Sequence, residues 1–106
     1  MAAMGWISVA RHGELESRSA KHIEIGEHVI ALFHHDDRYF ALEGSCPHQG
    51  GPLAQGALSQ DGVVTCPWHA WHFRISDGIS PDSPALSVGT FPVRVENGDI
   101  QVFVGD

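Results

Sequence analysis

Basic residues are scarce in this chain: six Lys and Arg stand against 13 Asp and Glu, a formal net charge of −7. No basic run is present to track a phosphate backbone, so no nucleic acid is expected as a partner. An acidic surface serves solubility, and it also suits a basic protein met transiently, with charge steering the encounter. Long apolar runs are missing too. No stretch approaches the roughly 20 residues of a membrane-spanning helix, so no membrane is expected. Residues 1–10 lack a charged segment followed by an apolar one, which argues against a secretory signal and for a cytoplasmic protein. Cysteine is limited to Cys46 and Cys66, and methionine to Met1 and Met4. One disulfide would suit a secreted chain, but in a cytoplasmic one spaced Cys and His more often mean metal.

What is present favours short strands and loops. The chain has 106 residues, 42% of them apolar, which suffices for one domain with a core, and only 18% charged, too few for a disordered chain. Twelve glycines and six prolines suit a loop-rich fold, and helical periodicity is rare. Strand signals recur instead. Trp6–Ala10 opens with one, and Trp6 is expected in the core. Lys21–Ile25 alternates, placing Ile23 and Ile25 on one face. Glu27–Phe33 is apolar. His34–Arg38 then reads as a polar turn longer than two residues before a strand at Tyr39–Leu42. Phe91, Val93 and Val95 alternate up to Asn97-Gly98, a strong hairpin signal, and Ile100, Val102 and Val104 continue beyond it. Ser59–Gly62 and Asp77-Gly78 read as turns, the first leading into a strand at Val63–Thr65. Strands thus bracket a middle region, Gly44 to Pro84, that holds both cysteines and five of the six prolines. The reading is an all-β scaffold, antiparallel and sandwich-like, carrying an inserted, loop-built site.

That middle contains Cys46-Pro47-His48 and Cys66-Pro67-Trp68-His69, with 17 residues between His48 and Cys66. Each piece offers a thiolate and an imidazole on a loop stiffened by proline. Four such ligands imply a metal. Two Cys and two His suit tetrahedral zinc, although the first pair is closely spaced and each loop mixes its ligand types. Type-one copper wants a weak axial ligand such as Met, and Met1 and Met4 are remote from both loops. A mixed [2Fe–2S] cluster takes two Cys on one iron and two His on the other.

The run Cys46-Pro47-His48-Gln49-Gly50-Gly51-Pro52-Leu53, with Cys66-Pro67-Trp68-His69-Ala70-Trp71-His72-Phe73 downstream, resembles the Rieske family, and the flanking strands extend that resemblance over nearly the whole chain. It implies the Rieske fold over residues 1–106, with a cluster-binding insertion at about residues 44–84. It also implies one [2Fe–2S] cluster per chain on Cys46, His48, Cys66 and His69, with His48 and His69 at the loop tips. Neutral imidazoles in place of two thiolates remove negative charge and raise the potential above that of an all-thiolate cluster. Gly50, Gly51 and Gly56 would let backbone N–H groups approach the sulfides. Pro47, Pro52 and Pro67 would limit loop reorganisation.

Higher-potential members of the family carry a Ser and a Tyr two and four residues after the second ligand His, and a further disulfide between the loops. Here those positions are Trp71 and Phe73, and no cysteines remain. Both departures point to the low end of the Rieske range, nearer about −150 mV than about +300 mV. His72 reads as a loop histidine beside the site. His34, His35 and Asp36 are too close in sequence to converge as an iron triad. His12, His22 and His28 are expected at the surface, and Trp68 and Trp71 are expected to pack their loop against the scaffold.

The resemblance implies a soluble ferredoxin passing electrons from a flavoprotein reductase to a terminal oxygenase acting on aromatic rings, with no substrate site of its own. The alternatives are the small subunit of an assimilatory NAD(P)H nitrite reductase, with that enzyme's large subunit as partner, and a zinc-stabilised β domain used for binding.

Overall fold

Ten short strands and one 3-10 turn account for the regular structure of the computed structural model, which describes residues 5–45, 51–68 and 71–105. Among these residues there is no α-helix, and none is long and apolar enough to cross a membrane. Strands β1 (Gly5–Arg11), β10 (Asp99–Val104) and β9 (Val93–Glu96) form one antiparallel sheet in that order. Strands β2 (Ala20–Ile25), β3 (His28–His35), β4 (Arg38–Glu43) and β8 (Thr90–Phe91) form a second. A small third sheet of β5 (Ala57–Leu58), β6 (Val63–Thr65) and β7 (His72–Arg74) lies within the middle region. The all-β, antiparallel architecture is as the alternation predicts.

Turn chemistry sets the registers. Asn97 and Gly98 both take positive φ, 52° and 83°, between the paired residues Glu96 and Asp99. This two-residue turn matches the right-handed twist of its strands. The β3–β4 hairpin is tighter than expected. His34 and His35 stay in β3, His35 pairs with Arg38, and only Asp36 and Asp37 turn, with φ of 55° and 60°. Aspartate tolerates the left-handed region because its short side chain can satisfy nearby backbone, so a two-residue turn forms without Asn or Gly. As neighbours in a strand, His34 and His35 point to opposite faces. His34 stacks on Tyr39 at 4.5 Å and hydrogen-bonds the Leu15 carbonyl, whereas Nε2 of His35 reaches the Gln60 carbonyl at 2.8 Å. They form no iron triad.

The apolar alternation from Phe91 to Val95 does not make one strand. Phe91 pairs with Ala41 in the second sheet and Val93 with Val102 in the first, so the chain changes sheets at Pro92. Proline has no N–H to give to a ladder, and its carbonyl accepts from Phe103 N at 2.9 Å.

The core has two parts that share β3 and β4. Ile30 and Leu32 pack with Ala10, Leu15, Ala41, Ile100, Val102 and Val104, while Ala31 and Phe33 pack with Leu42, Leu53, Val64, Cys66, Phe73, Ile75 and Val88. Burial on both faces explains why β3 reads as a continuous apolar run. Trp6 is not in the core. It is 37% exposed, edge-on to Phe103 at 5.5 Å, with the Arg94 guanidinium 4.3 Å above its ring. The indole is covered by a cation and an aromatic edge instead of a sheet.

Candidate functional site

Each of the two loops expected to carry ligands is closed at its base by backbone hydrogen bonds. The first leaves β4 at Glu43. Gly44 N donates to Val29 O at 2.7 Å, Leu53 N to Gly44 O at 2.9 Å, and Ser45 bridges Pro52. Residues 44–45 and 52–53 are thereby held side by side, with buried Leu53 as the anchor. The second runs from β6 to β7 and closes where Cys66 N donates to Trp71 O at 2.7 Å. The Ser59–Gly62 turn forms as expected, with Gly62 at φ +79° and Ser59 Oγ accepting from Asp61 N and Val63 N.

Of the four expected ligands, Cys66 lies within the described residues; Cys46, His48 and His69 lie outside them. Cys66 is 1% exposed and belongs to the core cluster beside Val64 and Phe73. The two loops meet at this sulfur. A Cβ added to Gly51 would stand 2.9 Å from Cys66 Sγ and 3.1 Å from Trp68 Cγ. Only a glycine lets the first loop lie this close to the thiol of the second. The donor set of two thiols and two imidazoles on closely apposed loops fits a [2Fe–2S] cluster held by two Cys and two His.

The expected role of Gly56 differs from what is found. A Cβ there would collide with the Thr65 carbonyl oxygen and touch Val64, so this glycine serves close packing of the 3-10 turn Leu53–Gln55 against β6. Gly50 lies outside the described residues. Trp71 packs, partly buried, against the core cluster as expected, but Trp68 is 56% exposed. Phe73 is fully buried. Positions 71 and 73 thus present apolar bulk to the interior and no hydroxyl.

His72 lies in β7, paired in register with Thr65, and its Nδ1 is 2.5 Å from Asp82 Oδ2. Sequence reasoning missed this partner. The signal was Ser80-Pro81-Asp82-Ser83-Pro84, in which a serine and two prolines mark a defined turn. Beyond β7, Asp77 Oδ1 accepts from Ile79 N at 3.0 Å, and its carboxylate pairs with Arg74. The Ile79 N–H, then Arg74, hold its carboxyl below the usual range. A depressed folded value stabilises above the unfolded pKa and fades as pH falls through the folded one. The melting-temperature gap between the wild type and Asp77→Asn should therefore narrow as pH drops below about 4. A gap constant down to acid pH would assign it to something other than this carboxylate.

Residues 5–100 match the model of the Rieske [2Fe-2S] domain. The 3-phenylpropionate/cinnamic acid dioxygenase ferredoxin subunit of Photorhabdus laumondii is 32% identical over 104 residues, covering 97% of this chain and 98% of that one. The ferredoxin component of the alkene monooxygenase system of Xanthobacter autotrophicus is 35% identical over 79 residues, 74% of this chain; the match spans 65% of that relative's length. Among solved structures, a complex of reduced oxygenase and oxidised ferredoxin in carbazole 1,9a-dioxygenase contains a chain that superposes with a TM-score of 0.86 at 26% identity, covering 95% of this chain and 94% of that one. The family match displaces the zinc-domain alternative, and the chain belongs to the Rieske [2Fe-2S] domain family.

Proposed function

We propose that this chain is a one-electron carrier, a single Rieske domain whose residues 44–84 hold one [2Fe–2S] cluster through Cys46, His48, Cys66 and His69. It takes electrons from a flavoprotein reductase and passes them to a terminal oxygenase of the aromatic-ring dioxygenase kind, in the cytoplasm and without a substrate site of its own. The observation that carries this reading is the end-to-end likeness to a dioxygenase ferredoxin subunit. When bound, the cluster supplies a one-electron couple. Cys66, held in the core beside Phe73 and Val64, keeps water from one side of its sulfur. Gly51 lets the loops close on each other. Trp71 and Phe73 give no hydroxyl hydrogen bond, which keeps the potential low.

The purified protein should be coloured, bleach on reduction by a flavoprotein reductase with NADH, and recover colour when oxygenase is added. Its potential should fall at the low end of the Rieske range and vary little with pH near neutrality. Reoxidation by a nitrite reductase large subunit and not by any oxygenase would transfer the assignment to the nitrite reductase alternative. A colourless, zinc-loaded protein would end the cluster reading.

A further inference from the structure

We propose that the His72–Asp82 hydrogen bond is a latch that positions the second ligand loop, with Ser80 setting the latch. This rests on the cluster reading above. The latch is built in three steps. Ser80 is 3% exposed, and its Oγ accepts from Asp82 N at 3.3 Å and Ser83 N at 3.4 Å. Its own N–H donates to Leu86 O at 2.9 Å, and Leu86 N returns to Ser83 O at 2.8 Å. These bonds, with Pro81 and Pro84, fix a turn that has little freedom to lose.

The turn presents Asp82, whose Oδ2 meets His72 Nδ1 at 2.5 Å. An ionised carboxylate only accepts, so Nδ1 carries the hydrogen and donates it. His72 follows Trp71, the residue whose carbonyl closes the loop on Cys66 N. Asp82 therefore holds the strand at the point where the ligand loop joins it. The pair spans ten positions in sequence and is part-exposed, with side chains 41% and 67% accessible. A surface ion pair of this kind contributes little to global stability. Its place at the loop base assigns it to geometry, with His72 and Asp82 as positioning residues.

The test compares the holo wild type with Asp82→Ala and Asp82→Asn. The readouts are the rate at which visible absorbance is lost to a chelator, and the EPR g-values after reduction. Asp82→Ala should lose colour roughly three- to tenfold faster, as expected for one lost hydrogen bond, with shifted g-values. Asp82→Asn still offers an oxygen to Nδ1–H and should restore both readouts to near the wild type. Wild-type behaviour of Asp82→Ala overturns the latch. Equal loss in both variants also overturns it, because charge and not the hydrogen bond would then be responsible. If Asp82→Ala disturbs the far-UV spectrum, His72→Ala, which leaves the Ser80 turn whole, is read instead; a wild-type rate there overturns the proposal. A wild type that never carries a cluster defeats the cluster reading itself, and the latch with it.

Discussion

Protein in which Cys66, His48 or His69 is replaced by Ala is expected to purify without the visible spectrum of the wild type and to give no Rieske EPR signal after reduction. The effect should be complete and not graded, because three ligands leave one iron of the pair short of a donor. The three variants differ in what else they remove. Cys66 is a buried member of the core cluster, so its truncation also costs packing beside Val64 and Phe73. The histidine variants carry the cleaner test of ligation. Far-UV circular dichroism of each variant should keep the signature of the strands, since the first and second sheets pair through residues 5–43 and 90–104. An unchanged reduced signal in either histidine variant would strike that residue from the ligand set.

Gly51→Ala should be the most damaging substitution that leaves every ligand in place. The added methyl would stand 2.9 Å from Cys66 Sγ and about as close to Trp68, at 3.1 and 3.2 Å. Trp68 is exposed and can swing aside. The sulfur cannot, since Cys66 is buried and its N–H is bound to Trp71 O. Gly51 is not among the positive-φ residues, so the penalty is steric and not conformational. Overpacking of this kind costs about 1–3 kcal/mol, and cluster content under matched expression should fall by roughly tenfold or more. Gly26→Ala separates the two effects. That glycine has φ +60° and nothing within 4 Å of an added Cβ, so its replacement should cost about 1 kcal/mol of stability and spare the cluster. Normal loading of Gly51→Ala would show that the close approach of the loops is dispensable.

The legible parts of this molecule were those with local causes. Asn97-Gly98 announces its hairpin because few other pairs accept two successive positive-φ positions, and the alternation around it pins the register. The paired Cys and His runs point to a metal because their residue types and spacing have few structural alternatives. The parts that misled have non-local causes. Asp36-Asp37 makes as tight a turn as Asn-Gly once β3 and β4 are paired, and nothing within the pentad says so. Phe91–Val95 carries the pattern of one strand, and only the sheets on either side of Pro92 divide it. Trp6 has the composition of a core residue, but its cover comes from Arg94 and Phe103, which are distant in sequence. The sequence points Gly56 toward the sulfides, whereas its constraint is the backbone of β6. His72 could be placed near the site, but its partner could not, because the turn presenting Asp82 depends on how residue 80 is buried.

The division of the core along β3 and β4 bears on how such a chain can change over generations. Ile30 and Leu32 of β3 serve one cluster of side chains and Ala31 and Phe33 the other, and Ala41 and Leu42 of β4 divide in the same way, so two paired strands are the party wall between two rooms. Substitutions at Val64, Phe73, Ile75 or Val88 repack the room that contains Cys66, while Ala10, Ile100, Val102 and Val104 line the other. Changes that are well separated and share no partner act additively. A lineage can therefore repack the surroundings of Cys66 while the far room keeps the scaffold standing. The exception is the wall: a substitution in β3 or β4 is felt on both sides at once, and those six positions should tolerate the least variety.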